Sequence, residues 1–203
     1  MSPLTVFIRT LMKSSAICLG IAIAVIHPSV EGGRSRHATA QQSPAEAAID
    51  GLVLALKDSD AGVRRYAAAA LGELRSTRAV AGLIDATKDE QPEVRLHAIT
   101  ALGEIGDPKA VPAVTAALKD ADTRVRARAA LVLGEMGDRS SVDALIALVS
   151  DSDVQVKRRA LMALAEIGDG RAVPAATAAL KDPDAGVRRA AVLALAELSG
   201  GER

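Results

Sequence analysis

From about residue 45 the chain repeats one pattern of apolar and polar positions at a constant spacing of 31 residues. Val63, Val94, Val125, Val156 and Val187 mark the register, each followed by a basic residue (Arg64, Arg95, Arg126, Lys157, Arg188) and, ten positions on, by a glutamate (Glu73, Glu104, Glu135, Glu166, Glu197). In the second of these windows Val94, Ala98, Ala101, Leu102 and Ile105 fall along one side of an α-helix, while Glu93, His97, Thr100 and Glu104 fall nearly opposite. Val125, Ala129, Val132, Leu133 and Met136 repeat the apolar side one period later. A helix pair of this kind cannot bury its apolar side alone, so a fixed period of this size predicts a stack. The expected architecture is all-α: a solenoid of five antiparallel helix pairs at about 45–75, 76–106, 107–137, 138–168 and 169–199. Gln41–Pro44 reads as a linker and 200–203 as a tail.

The joints agree with that division. Each first helix ends before an aspartate-rich turn, Asp58-Ser59-Asp60, Asp89-Glu90-Gln91, Asp120-Ala121-Asp122, Asp151-Ser152-Asp153 and Asp182-Pro183-Asp184. Asp and Ser there can accept hydrogen bonds from the free N–H groups of the next helix. Gly106, Gly137 and Gly168 stand where second helices should close. Asp107-Pro108 reads as an N-cap followed by a first-turn proline.

On the helical wheel the repeated cation at Arg95 lies close to Leu102 and away from the polar stripe, which predicts partial burial. A buried cation needs a paired acceptor. The turn aspartates of the same or the adjacent repeat supply one, giving a structural ladder of Asp58, Arg64, Asp89, Arg95, Asp120, Arg126, Asp151, Lys157, Asp182 and Arg188. Lys157 offers fewer fixed donors than arginine, so its rung should be looser.

The spacing of turn aspartate, valine and arginine (Asp58/Val63/Arg64, Asp89/Val94/Arg95, Asp120/Val125/Arg126, Asp151/Val156/Lys157, Asp182/Val187/Arg188) resembles the HEAT repeat family, as do the prolines Pro112 and Pro174 in first helices. The period is shorter than the usual HEAT length and is similar to the short repeats of phycobilisome bilin lyases and many bacterial scaffolds. The resemblance covers about 45–199. It implies a superhelix whose second helices line the inner surface, and a protein-binding scaffold. Its lyase branch implies an alternative, a chromophore-handling subunit.

Composition narrows the chemistry. The chain has one Phe, one Tyr, no Trp and one Cys in 203 residues, and its formal net charge is zero. Tyr66 is the only aromatic of the repeats, so the core should be built from closely packed small and aliphatic side chains. A conjugated ring would meet few aromatic walls, which sets the scaffold reading ahead of the chromophore reading. A balanced charge gives no basis for nucleic-acid binding. His97 is the one histidine after residue 40, and it is followed by Ala98 rather than by the glutamate of the His-Glu pairs in HEAT-type deoxyhypusine hydroxylases. No metal site, cofactor, thiol nucleophile or glycine-rich phosphate loop is expected, and the reading is non-enzymatic.

Residues 1–40 follow a different rule. Arg9 and Lys13 precede an apolar run, Ala16 to Ile26, and Ala38-Thr39-Ala40 offers a small-residue cleavage site. That order predicts a secretory signal and export to the periplasm or beyond, with membrane contact only through this segment. Cys18 lacks the small residue expected directly before a lipidated cysteine.

Across the stack the polar faces align in rows: Tyr66, His97, Arg128, Arg159, Ala190 and, beside it, Ala69, Thr100, Leu131, Met162, Leu193. Tyr66, His97, Arg128, Leu131, Arg158, Arg159 and Met162 form the candidate protein-binding surface, because arginines beside exposed apolar groups favour protein interfaces. The last helix, from Arg188 to Leu198, carries no polar cap, so its outer face is expected to dock on a partner or on a second copy.

Overall fold

The computed structural model describes residues 43–200. The predicted export signal, with Phe7 and Cys18, lies outside the described residues, as do residues 201–203. Among the described residues there are ten α-helices and no strand. They form five pairs: α1 (Pro44–Ala55) with α2 (Ala61–Glu73), α3 (Val80–Ala86) with α4 (Pro92–Ile105), α5 (Val111–Ala117) with α6 (Thr123–Met136), α7 (Val142–Leu148) with α8 (Val154–Ile167), and α9 (Val173–Ala179) with α10 (Ala185–Gly200).

The first helices differ from the simple reading. In the last four repeats each is split into a 3-10 turn (Thr77–Ala79, Pro108–Ala110, Arg139–Ser141, Gly170–Ala172) and a short α-helix. The aspartates Asp107, Asp138 and Asp169 therefore cap 3-10 turns, their carboxylates accepting from the amides of Lys109, Ser140 and Arg171. Pro112 and Pro174 then open α5 and α9, where a missing N–H costs no helical hydrogen bond. The linker is also shorter than expected. Ser43 caps α1 through a reciprocal bond pair with Glu46, and Pro44 is helical.

In the four turns that carry two aspartates, the pair divides the work. The first accepts the amide two residues on, as Asp58 does from Asp60 at 2.8 Å and Asp120 from Asp122 at 2.8 Å. The second caps the following helix at Asp60, Asp122, Asp153 and Asp184. Gln91 makes no such side-chain cap, and α4 opens on Pro92 instead. Gly106, Gly137 and Gly168 end their helices in the left-handed region, with φ of 70°, 65° and 68°. The equivalent position after α2 is Arg75, which takes φ 48° although it carries a Cβ, a conformation that costs about 1–2 kcal/mol.

Successive second helices pack directly on one another, and each first helix packs mainly on its own partner. The core runs unbroken through Leu71, Leu83, Ile99, Leu102, Leu133, Leu145, Leu161 and Leu164, all fully buried. Glycines inside the second helices permit the close approach. A Cβ on Gly72 would lie 2.8 Å from the Cα of Ala101, and one on Gly134 would lie 2.8 Å from the Cα of Ala163. The polar rows lie on the second helices, on the surface that the repeat resemblance assigns to the inner face of a superhelix.

Candidate functional site

The repeated cations tie repeat to repeat. Arg64 donates from Nε to Asp89 Oδ2 at 2.7 Å and from Nη2 to Asp89 Oδ1 at 3.0 Å, while its Nη1 donates to the carbonyls of Asp58 and Ser59. Arg95 does the same with Asp120, and Arg126 with Asp151. The carboxylate partner always belongs to the following repeat, and the aspartate of the cation's own turn contributes its carbonyl. The sequence left both partners open. A planar fork with five N–H donors can serve two loops at once. Lys157 reaches Asp182 by one bond of 2.7 Å, and no bond from it to the carbonyls of its own turn is formed. Arg188 keeps its carbonyl bonds to Asp182 and Pro183, and among the described residues no carboxylate pairs with it.

These contacts set the acidities. The Arg64 guanidinium holds the Asp89 carboxyl below its ordinary range, and the Lys157 ammonium does so for Asp182. At Asp120 and Asp151 burial pushes the other way, and the arginine together with the turn amide outweighs it. In Arg64, Arg95 and Arg126 the Nε, Nη1 and Nη2 groups all donate within the stack.

The candidate binding residues separate into two groups. Tyr66 is exposed beneath the Arg65 guanidinium, 4.4 Å from the ring centroid. Arg159 is exposed, and Met162 is 40% exposed. His97, Arg128, Leu131 and Arg158 are half-buried. Arg158 leaves the row, because its stem lies against Gly186 at the start of α10 and its Nη1 meets the side chain of Gln155. Along the neighbouring row exposure rises towards the C-terminus, from half-buried Leu131 to Met162 and then to Leu193 at 66%.

The polar stripe of α4 is less free than its wheel position implies. Glu93 bridges to Arg124 of the next repeat at 3.0 Å, His97 Nδ1 lies 2.8 Å from the carbonyl of Glu93, and Thr100 donates to the carbonyl of Leu96. The Glu104 side chain folds over Gly72, and Glu166 folds over Gly134. Burial, reinforced by the Glu135 charge, pushes the Glu166 carboxyl up.

Between α2, α4 and α6 the inner face holds a cavity of about 340 Å³, lined by Arg75, Thr100, Gly103, Glu104, Arg128, Val132 and Glu135. Two cations and two carboxylates meet there with little apolar wall, an arrangement that can exchange hydrogen bonds with polar side chains of a partner. Arg75 and Glu135 were not singled out from sequence. The signal for Arg75 was a missing glycine, since every other repeat that closes on a left-handed residue there uses Gly. Among the described residues no group of three or more His, Cys, Asp or Glu side chains is placed to hold a metal ion, and no helix is long and apolar enough to cross a membrane.

The family model for HEAT repeats matches residues 49–131 and 111–196. Among solved structures, the complex of CpcE and CpcF of phycocyanin lyase from Nostoc sp. PCC7120 is similar at 31% identity and a TM-score of 0.68, covering 85% of this chain and 71% of that one. A designed armadillo repeat protein in complex with the peptide (KR)4 is similar at 19% identity and a TM-score of 0.63, covering 76% and 83%, a likeness of fold alone. No curated protein matches at the level that would mark a relative.

Proposed function

The chain belongs to the HEAT-repeat family, and from that premise we propose that it is a non-enzymatic scaffold that binds another protein along the inner face of its second helices. The observation that carries this is the contrast between rows. The ladder positions repeat with one change in five, whereas the inner rows run Tyr66, His97, Arg128, Arg159 and Thr100, Leu131, Met162, Leu193. A stack needs its joints to be alike and leaves its inner face free to vary. Arginine beside partly exposed Leu131 and Met162 supplies the composition of an interface centre. The outer face of α10 offers a second contact, for self-association. Export follows from the order of basic, apolar and small residues in 1–40.

A photo-crosslinking residue placed at Leu131 tests the inner face. It should yield one partner adduct in the native cell envelope that the same probe at Ala116, on the outer layer, does not yield. Equal labelling from both positions would remove the proposal. Sequencing the N-terminus of the cell-derived protein tests export, with a start after Ala40 expected.

The likeness to the phycocyanin lyase complex favours a second reading, a chromophore-handling subunit. An absorbance change in the visible on mixing the purified chain with a tetrapyrrole would put that reading first.

A further inference from the structure

We propose that the chain assembles head to tail, the last repeat of one copy stacking on the first repeat of the next, with Arg188 of the first copy bridging to Asp58 of the second. This deepens, and rests on, the self-association reading of α10 above, and it names both surfaces of the junction.

The rungs have a direction. Each runs from the cation of one repeat to the turn aspartate of the next, over a constant separation of 25 residues, at Arg64–Asp89, Arg95–Asp120, Arg126–Asp151 and Lys157–Asp182. Among the described residues the series is open at both ends. Arg188 already has Nη1 fixed on the carbonyls of Asp182 and Pro183 at 2.7 and 2.7 Å, the same seating as in the internal arginine rungs. Its Nε and Nη2 edge therefore points where the next aspartate would lie. Asp58 already accepts the Asp60 amide on Oδ1, as the internal aspartates accept theirs, and among the described residues no cation bridges to its carboxylate.

The apolar surfaces tell the same story. The position of Val192 is filled in earlier repeats by Ala68, Ile99, Ala130 and Leu161, all fully buried, whereas Val192 is 57% exposed. Leu180 is exposed where Leu56, Thr87, Leu118 and Val149 are buried. At the opposite end Val63 is 41% exposed where Val94, Val125, Val156 and Val187 are buried, and Ala48 is exposed where Ala79, Ala110 and Ala172 are buried. The two ends are thus the two halves of an interface that occurs four times inside the chain, matched in charge and in apolar register. The occupant is therefore a second copy of this chain. Because the halves are different surfaces, the contact is heterologous and continues past the dimer.

The test uses the full-length chain in a mild non-ionic detergent, with mass followed by sedimentation against concentration. The wild-type chain should grow with concentration beyond the dimer. Arg188→Glu alone and Asp58→Arg alone should each stay monomeric, because like charges meet at every junction. Mixing the two variants should restore growth, because each junction again joins a carboxylate to a guanidinium. A wild-type monomer at all concentrations, a plateau at the dimer, or a mixture that stays monomeric would each overturn the proposal. Val192→Glu, at an exposed site, is the control against a folding defect, and it should also disperse the assembly at unchanged helicity. Dispersal without effect on partner capture by Arg128, Arg159 and Met162 is expected, so this inference and the inner-face reading fail separately.

Discussion

The Arg126 guanidinium holds the Asp151 carboxylate of the next repeat at 2.9 Å through Nε and, through Nη1, the Asp120 carbonyl of its own turn at 2.9 Å. One side chain, only 13% exposed, thereby fixes two loops at the spacing of one repeat. The stack is held in register at its outer joints by these rungs and along its length by Ala- and Gly-lined helix contacts.

Removing a rung should cost more than its net contribution, because the surviving carboxylate is left half-buried and unpaired. Arg126→Ala is expected to destabilise the chain by about 2–4 kcal/mol, read as a lower urea midpoint in circular dichroism. Lys157→Arg should act in the opposite sense. It can add a second bond to Asp182 and reach the carbonyls of Asp151 and Ser152, for a gain of about 1 kcal/mol. An unchanged midpoint for both would mean that the rungs contribute nothing to stability.

The helical glycines make a paired prediction. Alanine is the better helix former by about 1 kcal/mol, and Gly51, whose Cβ would meet nothing within 4 Å, should gain up to that amount as Gly51→Ala. Gly134→Ala should instead destabilise by roughly 1–3 kcal/mol, because the new methyl meets the backbone of Ala163. The two thermal midpoints should move in opposite directions.

Much of this was legible in the sequence. The period, the five pairs, the closing glycines and the burial of Arg95 all follow from spacing, since each is set by local geometry that the repeat copies. Three features were not. Three of the four 3-10 turns are capped at short range by Asp107, Asp138 and Asp169, and such capping leaves no mark on hydrophobic periodicity. The partner of each arginine depends on how far one repeat is displaced from the next, a distance the sequence does not state. The engagement of Glu104 and Glu166 depends on Gly72 and Gly134. The recurring Leu-Gly-Glu of the first three repeats carried that signal, because a glycine kept inside a helix implies close packing there.

Acid sensitivity has a defined sign. Asp89, Asp120, Asp151 and Asp182 have folded-state pKa values below the ordinary range, and Asp122 and Asp169 are held at about 2 by Arg124 and Arg171. Their contribution is present above about pH 4, the unfolded value, and is lost as pH falls through the lowered values. Glu166 is raised, so its contribution is present below about pH 4 and is lost as pH rises through its folded value. The urea midpoint should therefore climb steeply from about pH 2 to about pH 4 and then decline slightly as pH rises through the folded Glu166 value. In Glu166→Gln the decline at the upper edge should vanish while the acid limb stays.

In the proposed function the repeated residues build the scaffold and the inner rows, where repetition breaks, carry binding. The direct measurement is the affinity of the crosslinked partner for the wild-type chain and for a triple variant, Arg128→Ala, Arg159→Ala and Met162→Ala. Affinity should fall by about 100-fold or more, as loss of clustered interface anchors does, at unchanged helicity and urea midpoint. Undiminished affinity in a fully folded triple variant would contradict the account.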